Sequence, residues 1–162
     1  MVEGEPLITD SGYGTNEILE YLIKKGANVN AVPISHGGIS ASALSTAISF
    51  GDLEKIKILV ENGANIEYQT KDGKNVSLIV DAIYSRHILE YLIQKGTNIN
   101  YQNEKGETAL IRSVSSKNLS SVKILMKNKA DLSLKDKQGR TALDIAKTGK
   151  DKDIINLLET KK

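Results

Sequence analysis

His36 and His87 are the only two imidazoles in the chain, and they are the first residues to test for chemistry. Catalysis needs a nucleophile beside a base, a pair of carboxylates, or a metal held in a pocket. His36 lies in a Gly-containing stretch and His87 opens an apolar-periodic segment, and neither has a second ligand at metal-binding spacing. His87 reads as a solvated or capping side chain; His36 reads as a loop residue, either solvated or touching a partner. The segment Asp10-Ser11-Gly12-Tyr13-Gly14-Thr15 contains Gly-x-Gly, but no strand precedes it and the third glycine is missing, so it is not a phosphate loop. Asp10 and Asp81 are acids among apolar neighbours. They read as facing solvent or a hairpin N–H, not as general acids. Cysteine is absent, which removes disulfides, thiolate metal sites and a Cys nucleophile together. These residues predict a non-catalytic protein with no cofactor and no metal.

If the polar residues do no chemistry, the remaining sequence has to explain what they stand on. At 162 residues and 40% hydrophobic content the chain suits one compact domain, and with 4% aromatics its core must be aliphatic. No apolar run approaches the ~18 residues of a membrane span, and MVEGEPLITD lacks a basic n-region, so neither a signal peptide nor a membrane segment is expected. This favours a cytoplasmic protein, leaving export by another route open. The net charge of +2 conceals an asymmetry: residues 1–81 carry 6 Lys against 11 acids, a net −5, and residues 82–162 carry 16 Lys or Arg against 9 acids, a net +7. Either the excess lysines are solvated on outer helix faces or they steer an elongated partner. The basic run Lys147–Lys152 is interrupted by an acid and lacks aromatics, so nucleic-acid binding is not expected.

The organising signal is repetition. Residues 18–30, ILEYLIKKGANVN, return as ILEYLIQKGTNIN at 88–100. The marker that ends each phrase recurs as Gly26-Ala27-Asn28, Gly63-Ala64-Asn65, Gly96-Thr97-Asn98 and Lys129-Ala130-Asp131, at intervals of 37, 33 and 33. A period of 33 marks a solenoid. Each unit reads as two short helices and a returning hairpin. The first helix is expected to start at Ser42, Asn75, Thr108 or Thr141, whose side chains can accept from free N–H groups of the opening turn. The second places apolar residues at i, i+3 and i+4, as in Ile18, Leu19, Leu22 and Ile23, and stops at Gly26, Gly63 or Gly96. Lys129, in the same register, should carry a backbone penalty. One such unit cannot bury its own stripe, so neighbours must stack.

Lys105-Gly106-Glu107-Thr108-Ala109-Leu110, Gln138-Gly139-Arg140-Thr141-Ala142-Leu143-Asp144-Ile145-Ala146 and the phrase ending in Gly26-Ala27-Asn28 resemble the ankyrin repeat. The resemblance implies an all-α ankyrin-repeat solenoid of helix-turn-helix units joined by β-hairpin loops. It divides a single domain, residues 1–162, into about five units near 1–30, 31–67, 68–100, 101–133 and 134–162. The departures predict that the third unit is the most irregular: Ser77 stands for a core Leu, and Tyr84 replaces the usual Gly before a second helix. Lys117 makes the same replacement in the fourth unit.

The resemblance also implies a protein partner resting on a concave side made by hairpin tips and exposed first-helix faces. In this register the last exposed position of each first helix is Tyr13, Phe50, Ile83, Ser116 and Gly149. Three large side chains in succession suggest a binding ladder; the alternative is that adjacent hairpins cover them as internal packing. The four extra residues between units one and two fall in Ala31–Ala41, where Ile34, His36 and Ile39 either close over the ladder or form a plain surface excursion. Lys71, Asp72, Lys74, Glu104, Lys105, Glu107 and Arg140 would form a polar rim at the hairpin tips, while Tyr68 and Tyr101 read mainly as stacked hairpin packing. The expected protein is a monomeric, non-catalytic interaction module. The alternatives are a dedicated inhibitor of the immunity or antitoxin kind and a structural repeat block of a larger multidomain protein.

Overall fold

Alternating capped and glycine-terminated segments become alternating short helices in the computed structural model, which describes residues 16–31, 41–69 and 75–160. The chain forms two compact units, Met1–Ile66 and Glu67–Lys162.

In the first unit the helices are α1 (Asn16–Lys24), α2 (Ala43–Phe50) and α3 (Leu53–Glu61). Ser42 caps α2 by accepting from the Ser45 N–H at 3.1 Å. The helix ends at Gly51, whose φ of 72° strains a residue without a Cβ least. Asp52 then caps α3 through the Lys55 N–H at 3.0 Å and pairs with the Lys55 ammonium at 2.6 Å. Both α1 and α2 pack on α3, and the core is Leu19, Leu44, Ala47, Ile48, Ile56 and Leu59. Asn30, the last letter of the first phrase, accepts from the Asn65 N–H at 2.7 Å and donates to the Gly63 carbonyl at 2.9 Å, tying one return loop to the next.

The second unit opens with a hairpin of β1 (Glu67–Gln69) against β2 (Asn75–Ser77), antiparallel, with Tyr68 opposite Val76. There follow α4 (Leu78–Asp81) running into a 3-10 turn (Ala82–Tyr84), α5 (Arg86–Gln94), α6 (Ala109–Ser115), α7 (Leu119–Lys127), α8 (Ala142–Thr148) and α9 (Lys152–Glu159). Thr108 caps α6, and Thr141 forms a reciprocal capping box with Asp144 on α8. Ile79, Leu89, Leu110, Val114, Val122, Leu125, Ile154 and Leu158 run through one buried cluster, so each helix pair shares its stripe with its neighbours.

Three details correct the sequence reading. Asn75 does not stand at a helix start: it lies in β2, and α4 starts three residues beyond it, after Ser77, which is buried and makes no cap bond. Uncapped and a single turn long, it is the shortest α-helix among the described residues. Second, Ile18 is 52% exposed, whereas Ile88, the same letter in the second phrase, is 1% exposed. Helix α5 packs on both the 3-10 turn and α7. Third, Ile83 is fully buried while Tyr84 is 66% exposed. At the position of Tyr84 the second and fourth repeats hold Gly51 and Lys117 in the left-handed region, at φ 72° and 54°. Tyr84 does not enter that region. The chain tightens into a 3-10 turn instead, which rotates Ile83 inward and the phenol outward. The Ile83 carbonyl, freed by that turn, accepts from Asn118 Nδ2 at 2.8 Å and from Ser121 Oγ, both at the start of α7.

Lys129 has a φ of 62°, which places a side chain where Gly26, Gly63 and Gly96 sit at 88°, 84° and 82°. The amino-acid change is therefore absorbed as local strain and not by a new path.

Candidate protein-interaction surface

The residues that stand out are those a soluble helix would not leave uncovered for stability alone. In the first unit Phe50, the only phenylalanine in the chain, ends α2 with 65% of its surface exposed. Ser49 beside it is exposed too, its hydroxyl bonded back to the Ser45 carbonyl at 3.0 Å.

In the second unit Tyr84 takes the place that Ile83 was expected to hold. Its hydroxyl shares a hydrogen bond of 3.2 Å with Ser116 Oγ at the end of α6. That bond, together with the nearby Arg112 guanidinium, holds the Tyr84 phenol below its ordinary range. Arg112 Nη1 contacts Glu107 Oε2 at 3.5 Å, and its Nε is buried without an acceptor among the described residues. Asp81, three residues before Tyr84, has its carboxyl pushed up by desolvation; Arg112 opposes the shift and Glu107 adds to it. Asp81, Tyr84, Glu107, Arg112 and Ser116 thus form a mixed polar group around one exposed aromatic ring. No nucleophile is paired with a base in it.

The expected rim divides in two. Glu104 and Lys105 are exposed at a hairpin tip. Glu107 and Arg140 brace their own hairpins instead. Glu107 accepts from Asn103 Nδ2 at 3.2 Å, and Arg140 pairs with the buried Asp136 at 2.7 Å. Tyr13, Ile34, His36, Ile39, Lys71, Asp72 and Lys74 lie outside the described residues. Sequence reasoning passed over Tyr84 and Arg112 as surface residues. The signal was present for Tyr84, because an aromatic where the register wants a left-handed residue forces the chain to find another path. Arg112 carried no such mark.

Among the described residues no group of three or more His, Cys, Asp or Glu is placed to hold a metal ion, and no helix is long and apolar enough to cross a membrane. The family model described as "Ankyrin repeats (3 copies)" matches residues 77–162, more than half of the chain. The chain belongs to the ankyrin-repeat family. Ankyrin repeats are generally protein–protein interaction modules and generally non-catalytic. The matched stretch begins at Ser77, so the helical part of the irregular ankyrin repeat, with its 3-10 turn, falls inside it. Over 64 residues, 40% of its length, the chain is 36% identical to the E3 ubiquitin-protein ligase hecd-1 of Caenorhabditis elegans. Those residues are 2% of that relative, so the likeness is to one small segment of a large protein.

Proposed function

We propose that this ankyrin array binds a protein partner through the ends of its first helices and the neighbouring hairpin tips, the side expected to be concave when ankyrin units stack. The observation that carries the reading is the exposure of Phe50 and Tyr84, at 65% and 66%, where their helices end. A large aromatic left in water forgoes about 1.5–3 kcal/mol of burial, and it supplies much contact area for little rotamer entropy when a partner covers it. Ser116 and the tip residues Glu104 and Lys105 extend the surface in this reading. So do Tyr13, the inserted Ile34, His36 and Ile39, and Lys71, Asp72 and Lys74.

The test is capture of partners from native lysate by the wild type and by a Phe50→Ala/Tyr84→Ala variant. We expect the variant to hold the partner at least about 10-fold more weakly, with unchanged helical circular dichroism and melting temperature. Equal losses of binding and stability would show that these rings are structural.

A second reading, a repeat block within a larger multidomain protein, is supported by the segmental likeness to the E3 ligase. An immunoblot of the native protein migrating near 17.6 kDa would exclude it.

A further inference from the structure

All but one of the acids between residues 109 and 160 are occupied. Asp131 accepts from the Ser133 N–H and hydroxyl, Asp136 from Gln138 and Arg140, and Asp144 closes the capping box. Asp151 caps α9, and Glu159 pairs with Lys147 at 3.1 Å. Between residues 109 and 160 only Asp153, of six acids, makes no such bond. Of the nine lysines in the same stretch, Lys147 alone has an ion pair. Negative charge is therefore drawn into caps and hairpins, and positive charge is left facing outward.

Two of those lysines are placed alike. Lys117 follows α6 and Lys150 follows α8, 33 residues apart. Both are exposed, both make no ion pair, and both sit at φ 54°. Glycine would take that conformation at lower cost, as Gly51 does at the equivalent place. Since α6 packs on α8, the two turns are separated by about the 8–10 Å spacing of neighbouring helices. Beside Lys117 stand the exposed hydroxyls of Tyr84 and Ser116, which share one hydrogen bond and so keep one O–H to donate, while the Thr148 O–H is given to the Asp144 carbonyl at 2.9 Å.

We propose that this edge docks an acidic segment of the partner protein, with carboxylates on Lys117 and Lys150 and a hydrogen bond from the Tyr84–Ser116 hydroxyl pair beside Lys117. The proposal rests on the protein-binding reading and assigns the chemistry of its second-unit portion. Charge complementarity selects the occupant: two unpaired cations one repeat apart match carboxylates about 8–10 Å apart along an extended or helical acidic stretch. Helix C-termini add negative dipole ends that favour the lysines locally, but that preference asks for no left-handed backbone and no repeat register.

The experiment is a titration of the isotopically labelled full chain, followed by its amide NMR signals, with acetyl-Glu-Glu-Ala-Glu-Glu-Ala-Glu-Glu-amide and with its all-Gln counterpart. We expect saturable shifts at residues 115–118 and 148–151 with the Glu peptide alone. The decisive variant is Lys117→Gly/Lys150→Gly. It removes both charges while relieving the backbone, so its melting temperature should hold or rise as peptide affinity falls at least 10-fold. Lys123→Gln/Lys127→Gln, on the exposed side of α7, should change affinity less than threefold. Shifts spread evenly over all lysines, equal losses in the two variants, or tighter binding of a single-stranded DNA oligonucleotide at the same residues would overturn the proposal. If the captured partner is lost by Phe50→Ala/Tyr84→Ala but kept by Lys117→Gly/Lys150→Gly, protein binding stands and the acidic-segment assignment falls.

Discussion

Asp136 shows how one side chain can serve a whole hairpin. Its carboxylate is 1% exposed and receives the Gln138 and Arg140 N–H groups at 2.9 Å each, as well as the Arg140 guanidinium. Burial alone would push this carboxyl up, but those donors hold it below the usual carboxylate range. The folded-state pKa is thus lower than the unfolded one. Its stabilisation is complete above the unfolded value of about 3.9 and disappears as pH falls through the folded value. Asp136→Asn should therefore melt well below the wild type near neutral pH, and the gap should narrow as pH drops below about 4. Thermal melts followed by circular dichroism across that range test it; a gap independent of pH would mean that the pairing with Arg140 contributes nothing through charge. In the sequence Asp136 looked like one more surface acid, because the donors that enclose it come from a turn whose closure no local pattern specifies.

At the scale of elements, the left-handed turns separate two costs that are usually mixed. Gly106 and Gly139 close equivalent hairpins at φ 73° and 76°. A Cβ on Gly106 would lie 2.9 Å from the Lys137 nitrogen and 3.1 Å from the Asp136 carbonyl carbon, while a Cβ on Gly139 would meet nothing within 4 Å. Gly139→Ala should cost about 1–2 kcal/mol from the backbone conformation alone. Gly106→Ala must also push the adjoining hairpin away and break the Lys137 N–H to Lys105 carbonyl bond of 3.0 Å, so it should cost clearly more. Urea unfolding of both variants decides this, and equal losses would sink the argument. The helices themselves were largely legible: Ser42, Thr108 and Thr141 cap where their side-chain chemistry and spacing say they should. The third unit was legible only as irregular. The turn that carries Ile83 inward leaves its carbonyl to Asn118 and Ser121, donors 35 and 38 positions away that no local pattern ties to it.

Across the whole molecule the repeated phrase contributes cohesion. Asn30 reaches the following loop at Asn65, and Asn100, its counterpart, accepts from the Asp131 N–H at 2.9 Å. The same job falls to Asn118, which caps α7 and at once donates to the preceding unit. Asn118→Ala should lose about 1–2 kcal/mol, more than an isolated cap of average strength. It should also raise amide hydrogen exchange at residues 82–89 as well as within α7; faster exchange confined to α7 would refute the coupling. The Ile83 carbonyl has one further consequence, which concerns time. On a ribosome adding about 5–20 residues per second, Ser121 is joined to the chain roughly 2–8 s after Ile83. Once residue 100 has been added the third repeat is present in full, yet until Asn118 and Ser121 follow it lacks the donors that close its turn, so its maturation waits on a neighbour not yet synthesised.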